Sequence, residues 1–234
     1  MQASHTQNQS VQITQSTLDS PQKFKVAIIG SGFGGLAAAI KLLKSGIDDF
    51  IILEKADDVG GTWRENQYTG AACDVQSHMY SLSYAPKTDW SKRYAEAPEI
   101  FQYIQNLIQD FQLKPFIRFN QEVTSTRYDE NLCQWQVETK EGSTIEAQFL
   151  IFASGPLHVA QIPKIKGIEK FKGKVFHSSH WQHDYDLNGK NIASIGTGGS
   201  AIQYIPEIAP QTSQLYVFQR TAAWVIPRDE RAYN

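Results

Sequence analysis

The strongest constraint on this chain is a pair of glycine-rich turns in the same register. Gly30-Ser31-Gly32-Phe33-Gly34-Gly35 is followed, 24 residues after its first glycine, by Glu54; Gly196-Thr197-Gly198-Gly199-Ser200-Ala201 is followed at the same distance by Arg220. Each turn comes after a short apolar run and opens a segment of helical character. Strand, glycine turn, helix and a second strand ending in a charged residue make the β-α-β unit that holds a dinucleotide. The first glycine permits the sharp turn, the second lets the backbone approach a pyrophosphate, and the third, or an alanine, lets helix and strand pack. The helix N-terminus offers amide donors and the positive end of its dipole to the phosphates. The sequence therefore predicts an α/β chain with two Rossmann-like dinucleotide-binding units and electron transfer between two bound cofactors.

The charged residues separate the two sites. Glu54 is placed to accept hydrogen bonds from ribose hydroxyls. In the equivalent place an acid would repel a 2′-phosphate, whereas the guanidinium of Arg220 can bind one bidentately. The second unit is therefore predicted to take NADP in preference to NAD, with Thr221 adding a hydroxyl.

A hydrophobic content of 41% with 12% aromatics suits a packed core rather than a disordered chain. A net charge of −2 gives no general attraction to nucleic acid or an anionic membrane. The two cysteines, Cys73 and Cys133, have no CxxC spacing; they point to a reducing, cytoplasmic setting and not to a disulfide framework. No apolar run approaches the roughly 18 to 20 residues of a membrane span, and the first residues do not read as a signal peptide.

Along the chain, residues 1–22, rich in Gln, Ser and Thr, read as a disordered tail. The first unit is expected over 23–160: strand 24–29, helix 36–43, strand 50–53, an aromatic-rich loop over 60–97, a helix from Pro98 to Leu113, and strands over 117–128, 134–139 and 144–152. A linker follows over 161–189. The second unit, 190–234, holds strand 191–195, helix 200–208 and strand 215–218. A doubly wound sheet normally has more strands than that, so the second unit reads as incomplete.

The linker carries Phe171, Gly173, His177 and Trp181 in the pattern F-x-G-x-x-x-H-x-x-x-W. In this the chain resembles the flavin-containing monooxygenases of the Baeyer–Villiger type, over about residues 24–234. Relatives that oxygenate only nitrogen or sulfur usually carry another aromatic in place of Trp181. The family usually has Pro or Asp where this chain has Gln182, and Tyr-Pro-Gly where it has Tyr68-Thr69-Gly70. Gly60-Gly61-Thr62-Trp63-Arg64-Glu65-Asn66, Cys73-Asp74-Val75 and Phe152-Ala153-Ser154-Gly155 look like further family segments.

The resemblance implies FAD and NADP(H) as cofactors. NADPH would reduce the flavin, and a C4a-peroxyflavin would insert one oxygen atom from O2 into a ketone or place it on a soft nitrogen or sulfur centre of a small organic substrate. It implies FAD contacts at Gly30, Gly32, Phe33, Gly34, Gly35 and Glu54. Further FAD contacts are implied at Gly61, Thr62, Trp63, Asp74 and Tyr80, and at Val123, Ser154 and Gly155. NADP contacts would come from Thr197, Gly198, Gly199, Ser200, Ala201 and Gln203, with Arg220 and Thr221. Asp74 would support the chemistry by positioning an arginine, a partner that a buried acid requires. His177 would govern domain movement, and Trp181 would anchor the linker. Full-length relatives are about twice this size, which implies a missing C-terminal half and an N-terminal fragment here. Two other readings stay open: a truncated, inactive nucleotide-binding remnant, and a two-dinucleotide flavin reductase of the disulfide type, whose redox CxxC is not found. His177, His180 and His183 recur every three residues, but without a carboxylate geometry for a known metal no metal site is expected.

Overall fold

The computed structural model describes residues 21–156 and 159–233, so the tail expected over 1–22 lies, up to residue 20, outside the described residues. The first unit runs β1 (Gln22–Ile29), α1 (Phe33–Lys44), β2 (Phe50–Leu53), α2 (Thr62–Glu65), α3 (Ala97–Asp110), β3 (Ile117–Arg118), β4 (Val123–Asp129), β5 (Gln134–Thr139) and β6 (Thr144–Phe152). Its six strands are ordered β3-β2-β1-β6-β5-β4. β1 lies parallel to β2 and β6, and β2 parallel to β3, whereas β4, β5 and β6 form an antiparallel meander.

Parallel strands read as continuous apolar runs because both faces are covered, and β1 and β2 follow that rule. On one face Val26, Ile28, Phe50 and Ile52 pack against Leu36, Ala39 and Ile40 of α1 and Ile100, Ile104 and Leu107 of α3. On the other, Ala27, Ile51 and Leu53 join Val137, Ile145 and Ala147 of the meander. β1 starts two residues earlier than the apolar run suggests, because Gln22 and Lys23 continue the register against Ile145 and Glu146. Lys23 also pairs with Glu146 at 3.1 Å.

The single strand expected over 117–128 is two strands. Asn120 adopts φ 55°, a left-handed conformation that ends a strand. Asn120 N donates to Ala56 O at 2.9 Å and Gln121 N to Glu54 O at 2.8 Å. The helix expected to reach Leu113 stops at Asp110, with Gln112 at φ 51°.

The second unit holds β7 (Asn191–Ile195), α4 (Ala201–Ile208) and β8 (Gln214–Phe218), with β7 and β8 parallel. Ala201 and Ile208 of α4 are buried, while Ile195, Tyr216, Val217 and Phe218 on the strands are exposed. After β8 the chain returns to the first unit. Arg93 N donates to Arg231 O and Tyr233 N to Ser91 O, both at 2.9 Å. Arg93 also pairs with Asp229, and Arg228 lies over the Tyr94 ring. Among the described residues no helix is long and apolar enough to cross a membrane.

Candidate functional site

A cleft of about 590 Å³ opens at the C-terminal ends of β1 and β2, where an open α/β sheet holds its ligands. Gly30 makes the turn out of β1 at φ 98°, closed by its N–H donating to Leu53 O at 2.8 Å. A Cβ on Gly30 would stand 2.6 Å from Ala153 O, and one on Gly35 1.9 Å from Gly30 O. Both glycines are therefore demanded by close packing of backbone on backbone. Gly32 differs: a Cβ there would meet only Gly61 Cα, at 3.8 Å. The space in front of it belongs to the cleft. α1 has Gly32 as its N-cap, with no side-chain cap and no acid in its first turn, which leaves the first amides of the helix to an incoming anion.

Glu54 is buried at the end of β2, with 7% of its surface exposed. Its Oε2 accepts from Ser31 N at 2.8 Å and Ser31 Oγ at 2.7 Å, and its Oε1 accepts from Ala56 N at 3.0 Å. A carboxylate offers about four acceptor positions, so three protein donors leave one, on Oε1, for a ligand hydroxyl. Gly61, Thr62, Trp63, Tyr80, Val123, Ser154 and Gly155 complete the cleft with Gly30, Gly32, Phe33 and Gly34. Trp63 and Tyr80 meet edge to face at 5.6 Å, and Trp63 Nε1 donates to the Tyr80 hydroxyl at 3.0 Å. Burial pushes the Tyr80 phenol above its ordinary range.

Two of the residues anticipated here stand elsewhere. Gly35 sits behind the turn as a packing position, and Asp74 is exposed and does not line the cleft. Burial does hold for its neighbour: the Cys73 thiol lies in the main core and is pushed up by that burial. Sequence reasoning missed Lys55 after β2, Gln121 and Glu122 between β3 and β4, and Pro156 after β6, all of which line the cleft. It also missed Ser31, whose signal was its place between the first two glycines.

The second turn repeats the backbone of the first. Gly196 has φ 104°, and its N–H donates to Phe218 O at 2.8 Å; Ile202 N donates to Gly198 O at 3.2 Å, as Leu36 N does to Gly32 O at 3.1 Å. Cβ atoms built on Gly196, Gly198 or Gly199 would meet nothing within 4 Å. Ser200 caps α4 without a side-chain bond, and Ala201 is the first helical residue. Thr197 Oγ1 accepts from Gln219 Nε2 at 3.1 Å, while Arg220 and Thr221 stand exposed at the end of β8. Gln203 is not turned to an open site, since its Oε1 accepts from Ala72 N and its Nε2 donates to Gly199 O.

The model of the flavin-binding monooxygenase-like family matches residues 23–233. The chain belongs to this family. A Baeyer-Villiger monooxygenase of Streptomyces coelicolor is 49% identical over 210 residues, covering 90% of this chain and 40% of the relative. Among solved structures, an oxidized steroid monooxygenase bound to NADP superposes with a TM-score of 0.85 at 40% identity, covering 91% of this chain and 42% of the other. OTEMO in complex with FAD and NADP gives 0.85 at 35% identity, covering 92% and 42%. The chain thus spans about two-fifths of the length of these relatives.

Membership in the family directs attention to the linker. Trp181 stands among Tyr68 of the first unit, Tyr204 of α4 and Phe176, with ring centroids 6.5, 5.3 and 5.4 Å away. It is a wedge shared by both units. His177 caps a short 3-10 turn: its Nδ1 accepts from Ser179 N at 3.1 Å and lies 2.9 Å from Ser179 Oγ. An Nδ1 that accepts from a backbone N–H carries no proton, so this arrangement holds the Nε2–H tautomer. Among the described residues no cluster of His, Cys, Asp or Glu could hold a metal ion.

Proposed function

We propose that the chain carries the FAD-binding cleft and the opening of the NADP-binding unit of a Baeyer–Villiger-type monooxygenase, which puts one oxygen atom of O2 into a ketone or onto a soft nitrogen or sulfur centre. The observation that carries this reading is the convergence of one glycine turn, a second glycine loop at Gly61 and the buried acid Glu54 on one cleft. Its volume falls within the roughly 300–1,000 Å³ of cofactor and ligand pockets. A bound flavin supplies the redox chemistry, taking hydride from a nicotinamide and activating oxygen.

This chain's own residues bind and orient. The free amides at the start of α1 receive a pyrophosphate, and the bare backbone at Gly32 allows its approach. The open acceptor on Glu54 Oε1 takes a ribose hydroxyl. Trp63 and Tyr80, locked by their mutual hydrogen bond, form an aromatic wall that screens the cleft from water. At the second turn the uncapped start of α4 and Arg220 favour a nucleotide bearing a 2′-phosphate.

The test is to add FAD to the purified chain, desalt, and read the two-banded flavin absorbance against protein concentration. Flavin near one per chain that bleaches on adding NADPH is the expected result. No retained flavin would overturn the reading of the cleft, and retained flavin that NADH and NADPH bleach equally would overturn that of the second turn.

A further inference from the structure

Ala72 forms an antiparallel bridge with Glu96. Its neighbours carry the bonds of that bridge, Ala97 N to Ala71 O at 2.8 Å and Cys73 N to Ala95 O at 2.9 Å. The N–H of Ala72 points the other way, and because Ala72 is buried that group needs a partner inside the protein. The partner comes from the second unit, where Gln203 Oε1 accepts it at 2.7 Å. The other end of the same amide, Nε2, donates at 2.9 Å to Gly199 O, a carbonyl of the second glycine turn itself.

The surroundings leave this link little play. Gly70, at φ 75°, lies so close to α4 that a Cβ would stand 2.9 Å from Gln203 O and 2.7 Å from Glu207 Cγ. Tyr68 packs on Tyr204 with ring centroids 6.1 Å apart. On the far side of the loop, Cys73 joins the main core, and Tyr80 packs against that same cluster. Tyr80 is a wall of the first cleft. From Gly199 to the core cluster behind that wall the path runs through one side chain and two consecutive residues of one loop.

We propose that Gln203 is a positioning residue that ties the second glycine turn to the wall of the first cleft, so that a nucleotide held at the turn is felt at Ala72 and Cys73. The ligand part of this rests on the NADP reading above; the tie itself does not. A side chain that faced the nucleotide alone would leave the Ala72 amide orphaned, and the bond to Gly199 O is what carries the tie from that amide to the phosphate-binding turn.

Amide hydrogen exchange on the full chain, resolved by residue, tests both parts. Without ligand, Gln203→Ala is expected to speed exchange at Ala72 about tenfold, while Ile28 in β1 and Ile52 in β2 keep the parent rates. Gln203→Glu, which retains an acceptor for Ala72, is expected to restore slow exchange there. No change at Ala72 in Gln203→Ala, or equal acceleration at Ile28 and Ile52, would overturn the positioning role. NADP+ at saturation is expected to slow exchange at Ala72 and Cys73 in the parent and not in Gln203→Ala. If dialysis shows NADP+ bound to the parent and these amides do not respond, the coupling is wrong. If NADP+ does not bind at all, the reading of the second turn and the coupling both fall, and the ligand-free comparison alone decides the tie.

Discussion

Replacing Glu54 by glutamine isolates what the buried carboxylate does for the first turn. It accepts three bonds, and every donor belongs to the protein: Ser31 N, Ser31 Oγ and Ala56 N. A glutamine amide has one oxygen. If that oxygen faces Ser31, the NH2 group confronts the N–H of Ala56, and a part-buried donor is left without an acceptor. That loss costs about 1–3 kcal/mol, and the two surviving bonds, no longer charge-assisted, weaken by about 1 kcal/mol each. The sum, about 3–5 kcal/mol, is a large share of the roughly 5–15 kcal/mol that holds a domain folded. At about 2–4 °C per kcal/mol for a chain of this size, Glu54→Gln is expected to lower the melting temperature by about 10 °C. Ser31→Ala, which removes only the hydroxyl bond, is expected to lower it by about half as much. The double variant should fall short of the sum, because both changes act on one network. Calorimetry of the four proteins decides it: a Glu54→Gln protein that melts within about 2 °C of the parent would refute the three-donor account.

The glycines of the first turn should separate by role. Gly35→Ala, with its Cβ 1.9 Å from Gly30 O, is expected to yield no folded protein; Gly34→Ala meets only Ala153 Cβ at 3.6 Å and is expected to raise helix stability by about 0.5–1 kcal/mol. Gly32→Ala is expected to melt like the parent and to lose flavin in a retention assay, since its Cβ fills only the approach to the phosphates. Arg220→Ala is expected to cut the preference for NADPH over NADH in flavin bleaching by tenfold or more, as the loss of a charged bidentate pair implies; an unchanged preference would remove Arg220 from the site. A thiol reagent is expected to label exposed Cys133 at once and buried Cys73 only on unfolding. Cys73, Tyr80 and Tyr103 are all pushed up by burial. Their folded forms hold the proton more tightly than the unfolded chain does, so stability is expected to be intact at neutral pH. It should decline as the pH rises past about 8.5 and further past about 10, which denaturation in urea at stepped pH would measure.

Much of the fold was legible because two local signals agreed. The continuous apolar run at Phe50–Leu53 and the glycines at 30, 32 and 35 agree on one parallel β-α-β unit, which the structure has as β1, α1 and β2. The period-2 pattern over 117–128 misled because alternation continues on both sides of Asn120, and a single left-handed residue is invisible to periodicity. The site was legible as far as its glycines and Glu54. Gln121 and Glu122 were not, since the β3–β4 connection, distant in sequence, brings them to the cleft, and Lys55 and Pro156 carry no motif beyond their neighbours Glu54 and Gly155. Gln203 sits two residues past the fingerprint and so reads as a ligand contact; that its amide is already engaged depends on a loop 131 positions away. Asp74 reads as buried beside Cys73, but the chain bends at Asp74 and Val75 and turns out of the core there.

The return of residues 228–233 to the stretch at 91–93 moors the second unit at its exit as Trp181 moors it at its entrance. A body held by one flexible cord can sweep a cone; a body held at two separated points can only swing about the line that joins them. Here one mooring is the Trp181 wedge at the entrance to the unit and the other is the strap that leaves it. The Gln203–Ala72 bond and the close approach of Gly70 to α4 add a third point of attachment, so the second turn is braced against the swing that two points alone would leave it.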